Sequence, residues 1–186
     1  RDLVRSRGLG DVYKRQSLHI LDVATNAFKA KATLVKIIIE EKEEFIQVSI
    51  EDDGCGMSDE VLQQVTNPFF TSRTTRKVGL GIPLFKQTCE QTGGYFNIVS
   101  QVGVGTCVTA CMYTNSIDAI PLGDIGESIF VLVINPYDID IWVKMTFKDP
   151  QKDEFLIDTR EFKKILDGIS LKEPSIMVWI KEYIQS

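Results

Sequence analysis

The 186-residue chain has one histidine, His19, and four cysteines, Cys55, Cys89, Cys107 and Cys111, none spaced as a C-x-x-C pair. A zinc site, which draws its ligands from Cys and His, is therefore not expected. No apolar run approaches the roughly eighteen residues that mark a bilayer-spanning helix, so no transmembrane segment and no membrane partner are read. The phosphate-binding pattern G-x-x-x-x-G-K-[ST] does not occur. Gly79-Leu80-Gly81 lacks the third glycine and the preceding strand of a dinucleotide fingerprint. Repeats and low-complexity tracts are missing too.

Basic residues are scarce where a polyanion would need them. The net charge is −5. Residues 1–16 carry Arg1, Arg5, Arg7, Lys14 and Arg15 against Asp2 and Asp11, which leaves 16 basic and 24 acidic side chains for the rest. Phosphate contacts require clustered Lys and Arg, so nucleic acid is not an expected partner. Residues 6–16 (SRGLGDVYKRQ) resemble a translated sequencing adaptor, and residues 1–16 are set aside as a non-native leader. Cysteines read as reduced thiols, with no signal-peptide core and no membrane span, point to the cytoplasm. Cys107 and Cys111 fall on one face of a strand and read as buried thiols.

What remains is an ordinary globular composition, 44% hydrophobic and 25% charged, enough for one domain with a small appendix. Ser17 predicts the N-cap of a helix to about Lys29, with Leu18, Leu21, Thr25 and Phe28 on one face and Asp22 and Asn26 on the neighbouring stripe. Leu34–Glu40 and Phe45–Glu51 predict an antiparallel strand pair around the charged turn Glu41–Glu44. Ser58 caps a short helix that Pro68 ends, and residues 68–79, polar and basic, predict a mobile loop. A helix follows from about Gly81 to Thr92, terminated by Gly93. Tyr95–Gln101 and Thr106–Tyr113 predict a second strand pair. Beyond Ile120-Pro121, Ser128–Ile134 and Ile139–Phe147 predict two strands, and Thr159–Leu166 and Pro174–Ile184 two helices. This order argues for an α/β (α+β) two-layer sandwich: one mainly antiparallel sheet with helices on one face, plus a small C-terminal β/α extension. The expected units are the leader 1–16, a domain over 17–115 and an extension over 116–186.

Singly, the polar signals are weak. Asp53-Gly54-Cys55-Gly56, read as a D-x-G-x-G box, is by itself a turn as readily as a ligand loop. Gly79-Leu80-Gly81 opening a helix could cradle a phosphate or merely pack closely. Asn26 alone reads as a cap or surface residue. Together, and in order, they carry more: Asp22 and Asn26 on a helix, then Asp53–Met57, then Gly79–Gly81, then Gly103-Val104-Gly105-Thr106.

Over about Ser17–Met112 this succession resembles the N box and glycine boxes of the GHKL (Bergerat-fold) ATP-binding superfamily, which includes gyrase B subunits, large heat-shock chaperones, histidine kinases and MutL-type proteins. The resemblance implies a site for Mg²⁺-ATP. Asn26 would ligate the Mg²⁺ through its side-chain oxygen, a suitable donor for a hard cation. Asp53 would accept a hydrogen bond from the adenine amino group. Gly54 and Gly56 would let backbone pass near the ring, Met57 at the end of that box would also belong to the nucleotide site, and Gly79, Leu80 and Gly81 would meet the phosphates. Gly105 and Thr106 would close the pocket floor, and Lys29 would reach toward phosphate. Arg73, Arg76 and Lys77, just before the second glycine box, read by themselves as a solvated basic loop and, against a triphosphate, would form a cationic lid.

Asp22 stands where ATPases of the superfamily carry Glu and histidine kinases commonly Asn. An acid there could act as a base through a water, so Asp22 is the candidate catalytic residue. His19 lies inside the N-box helix and reads as a packing residue, not a phosphoacceptor. The tail resembles that of small bacterial ATP-binding proteins of the superfamily and either extends the sheet or offers a partner-binding face. Three functions follow: a regulatory or kinase-like ATP-binding module acting on an unidentified partner protein, a stand-alone ATPase, or a non-hydrolysing ATP sensor. A homodimer is compatible with each.

Overall fold

The computed structural model describes residues 19–66, 81–115 and 125–185. Its organising element is a six-stranded sheet in the order β3-β4-β2-β1-β5-β6. Strands β1 (Leu34–Glu41) and β2 (Phe45–Asp52) form the expected antiparallel pair, with Ile37 opposite Ile50 and Ile39 opposite Val48. Strict alternation decides their sides. Val35, Ile37, Ile39, Ile46, Val48 and Ile50 are buried, whereas Lys36, Ile38 and Glu40 point away. Strands β3 (Tyr95–Gln101) and β4 (Gly105–Tyr113) continue the sheet beyond β2, adding Phe96, Ile98, Val108, Ala110 and Met112 to the same face. On the opposite face of β4, Cys111 is buried but Cys107 is only half-buried, so the two thiols share a face without sharing an environment.

All the described helices contribute to the apolar core on that one face. Helix α1, described over residues 19–29, buries Ile20, Val23, Ala24 and Ala27. That stripe is turned one position from the expected Leu21–Thr25–Phe28 face; Leu21 and Phe28 pack at its margin. His19 is buried and stacks on Phe85, with ring centroids 5.8 Å apart. Helix α2 (Asp59–Val65) has Ser58 as its N-cap. Helix α3 (Gly81–Gln91) sets Phe85 against Phe96 of β3 and ends where Gly93 turns left-handed, φ +79°.

The tail brings one correction. Ser128–Ile134 is not a strand but most of helix α4 (Ile125–Val133). Its apolar run suits either structure by composition. Burial at helical spacing (Ser128, Ile129, Leu132 and Val133, with Val131 outside) shows which the core accepts. Buried Asn135 then ends the helix. Its Nδ2 donates to the carbonyls of Leu132 (3.0 Å) and Ile139 (2.9 Å), and its Oδ1 accepts from the amides of Tyr137 and Ile139.

Strand β5 (Asp140–Thr146) pairs in parallel with β1, as the α4 crossover permits, so the tail extends the sheet. A four-residue strand absent from the sequence reading, β6 (Phe155–Asp158), forms the edge. Helices α5 (Thr159–Leu166) and α6 (Pro174–Gln185) follow as expected, joined through Phe162, Trp179 and Tyr183.

Candidate nucleotide-binding site

Helix α1 supplies the first part of the site. Asp22 and Asn26, one turn apart beside the buried stripe, are exposed and half-buried respectively; Lys29 is exposed. Among the described residues no hydrogen bond or ion pair engages the side chain of Asp22 or Asn26. Gly81 opens α3 directly on Asp22: a Cβ there would lie 2.6 Å from the Asp22 Cβ and 3.2 Å from its Oδ2. Only glycine lets the first described turn of α3 come this close to the acid-bearing face of α1. Gly79, Leu80, Arg73, Arg76 and Lys77 lie outside the described residues.

The loop after β2 supplies the second part. The core-facing series Ile46, Val48, Ile50 runs on by the same alternation to Asp52, so its carboxylate emerges on the helix-bearing face. It is half-buried and accepts from the Gly54 amide at 2.8 Å. Burial pushes the Asp52 carboxyl above the ordinary value near 3.8; the Gly54 and Thr106 amides pull the other way, and Asp53 adds to the rise.

Asp53 is occupied elsewhere. Its carboxylate accepts from the amides of Thr33 (2.7 Å) and Leu34 (2.9 Å) and from the Thr33 hydroxyl. Desolvation acts to raise this carboxyl, but those hydrogen bonds outweigh it and hold Asp53 below the ordinary range. Asp53, expected at the adenine, thus braces the start of β1. Asp52 is a further candidate that reading the sequence did not single out. Its signal was present: D-x-G-x-G begins at Asp52, with Asp53 as the intervening residue, and Asp52 keeps step with the alternation of β2.

Two glycines seat the loop on the β3–β4 hairpin. Gly56, at φ +65°, lies so near the Gln101 carbonyl that a Cβ would fall 2.0 Å from its oxygen. Gly105, at φ +136°, meets the Asp52 carbonyl in the same way, at 1.9 Å. The Cys55 amide donates to Ala30 O (2.9 Å) and the Gly103 amide to Cys55 O (2.9 Å), which ties loop, α1 and hairpin together. Thr106 is paired with Asp52 across β2–β4 and with Ser100 across β3–β4. The Ser100 hydroxyl accepts from the Met57 amide (2.8 Å), donates to Gly105 O (3.1 Å) and lies 2.8 Å from the Thr106 hydroxyl. Gly54, Gly56, Met57, Gly105 and Thr106 therefore gather around Asp52, while Asp22, one helical turn from Asn26, lies against Gly81. A separate cleft of about 410 Å³, lined by Asn135, Asp138, Lys163 and Lys172 among others, contains none of these residues.

Residues 15–116 match the family described as histidine kinase-, DNA gyrase B- and HSP90-like ATPase. That match covers more than half of the chain, and the chain belongs to this family. Membership makes it an ATP-binding protein of histidine-kinase-like type. It is similar to the sensor kinase CckA of Brucella abortus (strain 2308), 36% identical over 64 residues, 34% of this chain and 7% of that protein. It is similar also to the sensor histidine kinase YvrG of Bacillus subtilis (strain 168), 28% identical over 90 residues, 45% of this chain and 16% of that protein. The chain thus spans only a small part of the curated relatives it matches. A crystal structure of the N-terminal domain of a DNA repair protein matches with a TM-score of 0.51 at 14% identity, covering 80% of this chain and 53% of that one. At that identity the likeness is one of fold.

Proposed function

We propose that this chain holds ATP with Mg²⁺ between the Asp52–Met57 loop, the Gly105–Thr106 strand start and the junction of α1 with α3, and works as a kinase-like regulatory module on a partner protein. The observation that carries the reading is the half-buried Asp52 carboxylate, an acceptor held at the rim of the core beside Gly54 and Thr106. An acceptor-only group there favours a base bearing an amino group. Asp52 takes the role first expected of Asp53.

Asn26, half-buried and one turn from Asp22, would hold the metal through its side-chain oxygen, as a hard cation prefers. Mg²⁺ supplies charge neutralisation for the phosphate oxygens when bound. The amides at the start of α3, with Lys29, Arg73, Arg76, Lys77, Gly79 and Leu80, complete the proposed phosphate side. Asp22, exposed and against Gly81, is the group able to take a proton from an attacking hydroxyl or water. Sensor kinases among the similar proteins support transfer to a partner over simple hydrolysis. Residues 17–115 form the ATP-binding unit in this reading, 116–186 extend its sheet, and the cytoplasm, where ATP is abundant, is its place of action.

Titration with ATP in the presence and absence of Mg²⁺ tests the assignment of Asn26. The parent chain should bind more tightly with Mg²⁺, and Asn26→Ala should lose that tightening while keeping its thermal unfolding midpoint. An Asn26→Ala chain that still responds fully to Mg²⁺ would remove Asn26 from the site.

A further inference from the structure

Ser100 lies at the end of the core-facing series Phe96, Ile98, Ser100 of β3, directly opposite Thr106. A serine hydroxyl has one proton to donate and two lone pairs to accept. One lone pair takes the Met57 amide at 2.8 Å. The Gly105 carbonyl, 3.1 Å away, can only accept, so it takes the Ser100 proton. The contact to Thr106 Oγ1 at 2.8 Å remains, and Ser100 has no second proton for it. All three contacts are satisfied together only when Thr106 is the donor in the last.

We propose that Ser100 is a positioning residue that fixes the Thr106 hydroxyl with its proton turned away from the ligand, so that Asp52 and Thr106 present acceptors alone to the base. The Thr106 proton is committed to Ser100, and its remaining lone pairs face a ligand only as acceptors. An ionised carboxylate at Asp52 is acceptor-only as well, and the Thr106 backbone amide is already directed at it. A purine bearing an amino group can satisfy both acceptors with its two N–H donors, whereas one bearing a carbonyl at that position turns a further acceptor toward them and offers only its ring N1–H as a donor. Ser100 thereby sets the preference for the amino base without touching it. The inference rests on the reading of Asp52 and Thr106 as the base-edge contacts.

The test compares ATP with inosine triphosphate, which carries a carbonyl in place of the amino group, by equilibrium titration of the parent chain and its Ser100→Ala, Ser100→Thr and Asp52→Asn variants. In Ser100→Ala the Thr106 hydroxyl is free to rotate and donate to the carbonyl, so the ratio of the two dissociation constants should fall roughly tenfold. Ser100→Thr keeps a hydroxyl and should keep the ratio. A merely structural role for Ser100 would weaken both nucleotides equally; an unchanged ratio in Ser100→Ala therefore overturns the proposal, as does a Ser100→Thr chain that loses the preference as fully as the alanine. If Ser100→Ala does not fold, Ser100→Cys, with a weaker donor of similar size, carries the same readout. ATP affinity unchanged in Asp52→Asn would remove the base-edge reading and this inference with it. Weakened ATP binding in Asp52→Asn beside an unchanged ratio in Ser100→Ala would overturn the Ser100 proposal alone.

Discussion

Two adjacent aspartates with opposite surroundings decide the chemistry of the Asp52–Met57 loop. Asp52 is half-buried at the end of the core-facing series of β2, while Asp53 is held by Thr33 and Leu34 at the start of β1. Asp53→Asn should destabilise the fold by about 1–3 kcal/mol at pH 7, since hydrogen bonds to a charged acceptor are weakened. The sign of its pH dependence follows from the depressed native value. The stabilisation by Asp53 is complete above the unfolded-chain carboxyl value and fades as pH falls through the lower native one. Urea unfolding of parent and variant at pH 7 and near pH 3 should therefore show a gap that closes on acidification. A gap constant with pH would mean that the carboxylate is not what Thr33 and Leu34 bind. The order of the boxes, with Asn26 and Asp22 four apart on one helix, was legible in the sequence. The choice between Asp52 and Asp53 turned on which one stays in phase with Ile46, Val48 and Ile50, a question of pleat that the motif alone does not pose.

Elements with one clear period were legible, and those without one were not. Strands β1 and β2 alternate over eight residues each, and their pairing followed directly. Helix α4 is apolar on nearly every side and rich in β-branched residues, so composition favoured a strand; only its seat against the core separates the two. Strand β6 is four residues long, too short for alternation to register. Asn135 closes α4 with four hydrogen bonds from one buried amide side chain. Asn135→Ala strands those backbone groups and should cost about 2–4 kcal/mol, several partners being lost at once. Thermal or urea unfolding measures it, and a loss under about 0.5 kcal/mol, the scale of an ordinary surface change, would refute the capping role.

Across the molecule the strands of the proposed nucleotide site and the tail are one sheet. β2 and β4 carry Asp52 and Thr106, β1 joins them to β5, and the Thr33 carbonyl that neighbours the Asp53 contact accepts from the Asp140 amide at 2.9 Å. From the tail, Tyr137 packs on Phe28 of α1, with ring centroids 5.6 Å apart. The two-layer architecture was legible because the strands turn their buried aliphatic residues to the same helix-covered face. The central claim is that ATP is recognised through Asp52, with Asp53 a structural neighbour. Equilibrium ATP titration of Asp52→Asn beside Asp53→Asn, at neutral pH and on chains confirmed to be folded, tests it most directly. The account predicts that Asp52→Asn weakens ATP binding by roughly ten- to a hundredfold, the loss of a part-buried charged acceptor, and that Asp53→Asn weakens it by less than about threefold. An Asp53→Asn chain that loses ATP while Asp52→Asn retains it would contradict the account.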